Sequence, residues 1–251
     1  MLLIMNVFKL FDVLITSQFK KKTGYTPEIC HTPEIYQFGK NSSKTILLIS
    51  GTHGNEPAGA IYLEQLVQKF SKKMDLNVKV IIIPKVNRCG LLKNIRKVPE
   101  LSIKKWDLNR AYPIADEKAP DIINHYLYLI KQAQLVVDLH EARGYRKINT
   151  KTKGSGIYTN GYGHSSTIVQ EMVHNVNEII VNDQQKFITE EIALIPGSLR
   201  FYCTEHRIPY ILIETTGIGD VEPLETRLEK LDSIINTLLI NILFNEKVIF
   251  Y

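Results

Sequence analysis

The chain has 251 residues, 44% hydrophobic and 23% charged, with 14 glycines and 10 prolines. That composition fits one globular domain or two small ones, and excludes a disordered, collagen-like or linker-like polymer. The 31 Lys and Arg against 26 Asp and Glu give a net charge of +5, which favours an acidic ligand but falls short of the dense basic face of a nucleic-acid binder.

The apolar opening, MLLIMNVFKLFDVLIT, has no basic n-region. Lys9 and Asp12 interrupt it, and no small-residue cleavage site precedes the Lys20-Lys21-Lys22 run, so it reads as mature sequence rather than a signal peptide. Residues 1–34 are expected to be an N-terminal extension packed on the body, and 35–251 a single domain. No segment is apolar enough for long enough to span a membrane. Cys30, Cys89 and Cys203 form no CxxC pair; neither a disulfide framework nor a cysteine zinc site is indicated, and a reducing, cytoplasmic setting is expected.

From residue 45 onward, apolar runs alternate with segments of helical period, the pattern of an α/β fold. Thr45–Ser50 (TILLIS) reads as a strand buried on both faces. A glycine-punctuated loop follows, Gly51–Glu56, and Pro57 then opens a helix with its apolar stripe at Ile61, Leu63, Leu66, Val67 and Phe70. Val78–Ile83 is the next strand, and 84–118 a long irregular segment of the kind that carries function. A helix is expected over 120–133, a buried strand over Leu135–Leu139, an irregular glycine-rich stretch over 142–165, and helices at about 166–182 and 197–206. The strand Tyr210–Ile213 and a helix at about 222–244 complete the pattern.

Three of these strands end in chemistry. TILLIS runs into Gly51-Thr52-His53-Gly54-Asn55-Glu56, Leu135–Leu139 into His140, and Tyr210–Ile213 into Glu214. Ligands bind at the carboxyl ends of strands in an open α/β sheet, so these residues can converge although they are scattered in sequence. His53 and Glu56, in a turn bracketed by glycines, together with His140 make a His₂Glu set, the three-ligand pattern of a catalytic zinc with an open position. Such a metal acidifies water and polarises a carbonyl, and Glu214 is the candidate general base. Taken singly, an HxxE or a strand-end His is more often structural than ligating.

In order along the chain, Gly51-Thr52-His53-Gly54-Asn55-Glu56-Pro57, Asp107-Leu108-Asn109-Arg110, Asp138-Leu139-His140 and Gly197-Ser198-Leu199-Arg200 followed by Ile208-Pro209-Tyr210-Ile211-Leu212-Ile213-Glu214 resemble the successive motifs of the zinc carboxypeptidase superfamily. The likeness covers about residues 35–240 and is greatest to the succinylglutamate desuccinylase/aspartoacylase branch. It implies a three-layer α/β/α fold around a mixed, mostly parallel twisted sheet, and one Zn2+ per chain held by His53, Glu56 and His140 in a zinc-hydrolase catalytic domain over 35–251. It further implies that Glu214 activates the attacking water and protonates the leaving amine, that Asn109 and Arg110 hold a substrate carboxylate, and that Arg96 steadies the developing oxyanion. Asp107 is implied as the carboxylate that orients His53. A guanidinium fork suits a carboxylate, and a second arginine suits an oxyanion.

Alternatives stand beside these roles. Arg96 lies in a basic loop and its register can slip to Arg88; Asp107 can simply cap a turn. Asp138 shares a strand face with His140 and suits a structural hydrogen bond. Glu141 and Arg143 follow the third ligand directly, within reach of substrate, though Arg143 suits a surface position equally well. Cys89 and Cys203 read as buried small side chains. The tyrosine that carboxypeptidases carry shortly before the Gly197-Ser198 block is absent from Glu190–Pro196, and Tyr158 or Tyr162 are the candidates to replace it. No counterpart of the β-rich C-terminal domain of full-length desuccinylases is expected from the last helix and the tail Lys247–Tyr251.

The resemblance thus implies a hydrolase cleaving an amide bond near a free carboxylate, N-acyl-amino-acid deacylase-like. The alternatives are a metallocarboxypeptidase releasing C-terminal residues, and a non-catalytic carboxylate-binding protein. Leu199 would favour an apolar group in the specificity pocket and Arg200 an acidic one, so Arg200 joins the substrate-binding candidates. The expected partner is a small anionic acyl-amino acid or peptide, with no nucleic acid and no membrane. Charge placement agrees: residues 85–110 hold eight Lys and Arg against two Asp and Glu, and 143–153 hold five with no acid. The remainder of the chain is therefore net acidic, and the positive field lies in the two irregular segments.

Overall fold

The computed structural model describes residues 32–39, 44–71, 76–99 and 107–244. The N-terminal extension expected over 1–34 lies almost wholly outside the described residues, as does the tail 247–251. Among the described residues six strands, β1 (Tyr36–Phe38), β2 (Thr45–Ser50), β3 (Lys79–Ile83), β4 (Leu135–Ala142), β5 (Gly156–Thr159) and β6 (Tyr210–Thr216), form one sheet in the order β1-β3-β2-β4-β6-β5. The four inner strands are parallel and the two edge strands antiparallel, which is the mixed, mostly parallel sheet expected.

The helices are α1 (Pro57–Phe70), α2 (Arg88–Lys93), α3 (Asp121–Gln132), α4 (Ser165–Glu178), α5 (Leu199–Glu205) and α6 (Leu224–Phe244). TILLIS is apolar at nearly every position because both of its faces are covered. Ile46 and Leu48 join a core with α1, α4 and α6, while Leu47 and Ile49 join a second core with α3 and α5. These two cores are the two interfaces of a three-layer α/β/α sandwich.

Several boundaries differ from the sequence reading. Strands β4 and β6 each run three residues further than their apolar runs, so His140 and Glu214 sit inside strands rather than in the loops beyond them. Backbone pairing carries the extension, with His140 opposite Glu214, Glu141 opposite Thr215 and Ala142 opposite Thr216. The stretch 142–165, expected to be irregular, contains the short edge strand β5, and β1 is a second edge strand not anticipated. Within 84–118 the chain forms α2, whose N-terminus the Asn87 side chain caps by accepting from the Gly90 N–H, and a 3₁₀ turn at Leu108–Arg110. Cys203 is a free, buried thiol as expected, whereas Cys89 is disulfide-bonded. Among the described residues no helix is long and apolar enough to cross a membrane.

Candidate active site

The loop after β2 is shaped by glycine. At Gly51 the chain turns with φ +68°, a conformation that favours glycine. At Gly54 the constraint is proximity: an added Cβ would lie 1.9 Å from the carbonyl carbon of Gly90 and 2.3 Å from the Ile95 oxygen. The His53 loop and the Arg96 loop therefore touch backbone to backbone, and the Gly54 N–H donates to the Arg96 carbonyl at 3.3 Å. Pro57 then starts α1 immediately after Glu56.

This loop brings His53 and Glu56 against His140 of β4. All three side chains are buried, and one potential ligand atom from each lies within 4.8 Å of the others. Glu56 receives His53 Nδ1 on Oε1 at 2.8 Å and His140 Nδ1 on Oε2 at 2.8 Å, and the two Nδ1 atoms are 3.2 Å apart. Each outward nitrogen meets a carboxylate: His53 Nε2 lies 3.1 Å from Asp107 Oδ1, and His140 Nε2 lies 3.1 Å from Asp138 Oδ2. With the Nε2 protons directed to those carboxylates, both Nδ1 lone pairs converge on one point beside a carboxylate. That donor set fits a divalent cation such as zinc, and the outer carboxylates fix the tautomer that ligation needs.

Electrostatics follow from this packing. Burial alone would raise the Glu56 carboxyl, but His53 and His140 more than offset it and hold it well below the usual carboxylate range. Asp107 is likewise held low, against the effect of its burial, by His53, Arg96 and Arg110. Glu214 goes the other way. Neighbouring His140 across the sheet, it is pushed up to about 7, chiefly by burial; the Glu56 charge adds, while His140, Lys153 and His53 oppose.

The remaining sequence candidates fall as follows. Arg96 donates from Nη1 to Glu56 Oε1 at 3.0 Å and from Nε to Asp107 Oδ2 at 3.3 Å, and its side chain is 38% exposed at the edge of the centre. Arg88 instead pairs with Glu34 at 2.8 Å. Asp107 meets both of its alternatives, contacting His53 and also accepting the Asn109 N–H at 3.0 Å as a turn cap. The Asn109 side-chain oxygen accepts the Leu199 N–H at 3.1 Å, and Gly197 lies against the Arg110 backbone, so the Asp107–Arg110 and Gly197–Arg200 blocks meet in space. Arg110 is exposed, its guanidinium turned to the Asn109 carbonyl.

Arg200 is placed differently from the other arginines. Its guanidinium donates to the carbonyls of Ile192 at 2.6 Å and Thr159 at 3.0 Å, tying the segment before α5 to β5. The Tyr158 hydroxyl donates to the Lys153 carbonyl at 3.0 Å. Glu141, expected within reach of substrate, faces the opposite side of the sheet from His140, as strand alternation requires, and pairs with Arg227.

Two contributors were not singled out from sequence. Tyr210 donates its hydroxyl to Asp138 Oδ2 at 2.8 Å, completing a buried Tyr210–Asp138–His140 chain; the apolar run YILI hides it. Lys153 lies beside Glu214. Burial lowers its ammonium, Glu214 opposes, and Arg200, Arg110 and Arg146 lower it further. The basic run over 143–153 was the available signal for it.

Comparison with known proteins agrees with this geometry. Residues 42–151 match the succinylglutamate desuccinylase/aspartoacylase catalytic domain. The fold is similar to the cell shape determinant protein Csd4 of Helicobacter pylori, at TM-score 0.68 and 18% identity over 84% of this chain and 55% of that one. The mDAP-bound form of that protein, described as a D,L-carboxypeptidase, gives TM-score 0.64 at 16% identity, covering 83% of this chain and 54% of that one. The chain thus combines a stretch similar to that catalytic domain with a fold like that of Csd4. A candidate metallopeptidase from Shewanella amazonensis SB2B is also similar, at TM-score 0.57 and 18% identity over 83% of this chain and 81% of that one. The chain spans about half the length of Csd4. No protein of curated function matches it at a significant level.

Proposed function

We propose that this chain is a zinc-dependent hydrolase that cleaves an amide bond close to a free carboxylate of its substrate, an N-acyl-amino-acid deacylase-like activity. The observation that carries the reading is the convergence of His53, Glu56 and His140 on one buried point with the Glu214 carboxylate on the adjoining strand. A zinc ion held by these three residues would supply Lewis acidity and acidify water.

The chain's own residues do the rest. Glu214, held near neutrality by its buried setting, takes the proton of the attacking water and returns it to the departing amine. Arg96, beside Glu56, faces the developing oxyanion. Arg110 presents an exposed guanidinium to the substrate carboxylate, and the Asn109 amide stands next to it. Lys153 adds positive charge on the Glu214 side, so an anionic substrate is drawn from both flanks. Arg200 enters as an indirect contributor, since its guanidinium is engaged by backbone carbonyls.

A carboxypeptidase reading is favoured by one finding, the likeness in fold to the D,L-carboxypeptidase Csd4. Incubating the zinc-loaded protein with N-acyl amino acids and with short peptides separates the two. Release of free amino acid from the acylated substrates supports the deacylase; release of only C-terminal residues from peptides refutes it in favour of the carboxypeptidase.

A further inference from the structure

Behind the ligand loop, on the face of the sheet away from His140, lies a buried ion pair that the reaction does not use. Glu141 of β4 and Arg227 of α6 pair there, both buried, 86 residues apart in sequence. Glu141 holds the ligand loop at two points. Its own N–H donates to Glu56 Oε2 at 3.1 Å, and its carboxylate Oε1 accepts the Ala58 N–H at 2.6 Å. The second bond matters because α1 lacks its own cap: Glu56 at the N-cap position makes no side-chain cap bond, and the first turn carries no acidic residue. A carboxylate from a neighbouring strand therefore caps the helix that begins one residue after the ligand, where helix N–H groups and dipole favour negative charge. Gly217 makes room for the arrangement, since a Cβ there would lie 1.6 Å from Glu141 Oε2 and 2.3 Å from Arg227 Nη1.

We infer that Glu141 and Arg227 are positioning residues that clamp Glu56 in its ligating orientation, so that the C-terminal helix α6 sets the metal affinity of the centre. The inference rests on the reading of His53, Glu56 and His140 as the metal site. Arg227 pairs with this buried carboxylate from α6 and so ties the helix to the residue that caps α1, and a charged carboxylate is the stronger cap.

The test is zinc affinity by chelator competition at 25 °C. Circular dichroism of the metal-free proteins establishes folding, and the visible spectrum of the cobalt-substituted forms reports coordination geometry. Gly217→Ala displaces the pair while leaving both charges in place, and its backbone conformation is one that alanine adopts. Glu141→Leu/Arg227→Met removes both charges together and with them the cap; Glu141→Gln/Arg227→Met removes the charges but keeps an acceptor for Ala58. The first two are expected to weaken zinc binding roughly ten- to hundredfold with an altered cobalt spectrum, and the third to fall between them and wild type, since it keeps an acceptor for Ala58 but loses the tie to α6.

Folded Gly217→Ala and Leu/Met variants with wild-type affinity would overturn the clamp; an equal loss in the Gln/Met variant would overturn the cap, and wild-type affinity in it would overturn the tie to α6. Should the Leu/Met variant fail to fold, Gly217→Ala decides alone. A wild-type protein that binds no zinc refutes the metal-site reading itself. One that binds zinc but hydrolyses no amide refutes the proposed activity and leaves the clamp standing.

Discussion

Replacing Glu214 by Gln separates the cost of a buried general base from its use. In the folded chain this carboxyl sits at about 7 rather than 4.5, with burial the largest cause. Below pH 4.5 folded and unfolded chains both carry the proton, and the group contributes no difference. Between 4.5 and 7 the folded chain keeps a proton that the unfolded chain releases, so stability falls as pH rises, and above 7 the deficit is complete. At 1.36 kcal/mol per pH unit the deficit is at most about 3 kcal/mol. Glutamine is neutral at every pH and carries none of it. Metal-free Glu214→Gln is therefore expected to exceed wild type by up to about 3 kcal/mol at pH 8, equivalent to up to about 10 °C in melting temperature for a chain of this size. The advantage should vanish near pH 4. Denaturant titrations of chelator-treated protein at the two pH values measure it. Zinc affinity should be close to wild type while hydrolysis falls about 10²- to 10⁴-fold. Equal stabilities at pH 8, or undiminished turnover, would refute the assignment of Glu214 as a desolvated base.

Two further perturbations address the surroundings of the centre. Asp138→Asn removes the charge that faces His140 Nε2 and the Tyr210 hydroxyl; zinc affinity should fall roughly ten- to hundredfold by chelator competition, and an unchanged affinity would deny Asp138 its orienting role. Lys153→Met removes a cation that lowers the Glu214 pKa. The acid limb of kcat/KM, where the base must be ionised, should move to higher pH, and KM for an acidic substrate should rise; a superimposable pH profile would place Lys153 outside the site.

The front of this site was legible in the sequence because its residues stand where apolar runs stop. His53, Glu56, His140 and Glu214 each follow a stretch that burial on both faces obliges to be apolar, and a parallel sheet brings the ends of such stretches together. The strand boundaries were less legible for the same reason. Hydrophobicity ends at Leu139 and Ile213, but the ladder continues through His140–Ala142 and Glu214–Thr216, since backbone hydrogen bonds are indifferent to side-chain polarity. The edge strand β5 opens on glycine and pairs antiparallel to β6, and its four residues carry too little periodicity to distinguish it from the loops around it.

What lies behind the site left no local trace. Glu141 is adjacent to a ligand in sequence, and proximity alone assigns it to substrate; the pleat sends it to the other face, where its partner comes from a helix 86 residues away. Arg200 stands next to a pocket position in its block, yet a buried guanidinium needs acceptors, and the carbonyls of Ile192 and Thr159 provide them. Short sequence blocks record which side chains meet the reacting atoms, because those side chains cluster along the chain at strand ends. The supports of those side chains are chosen by which helix packs on which face, a long-range property. The metal affinity of this centre accordingly depends on residues as remote in sequence as Arg227 and Gly217, and substitutions there are where function and local motif are expected to part.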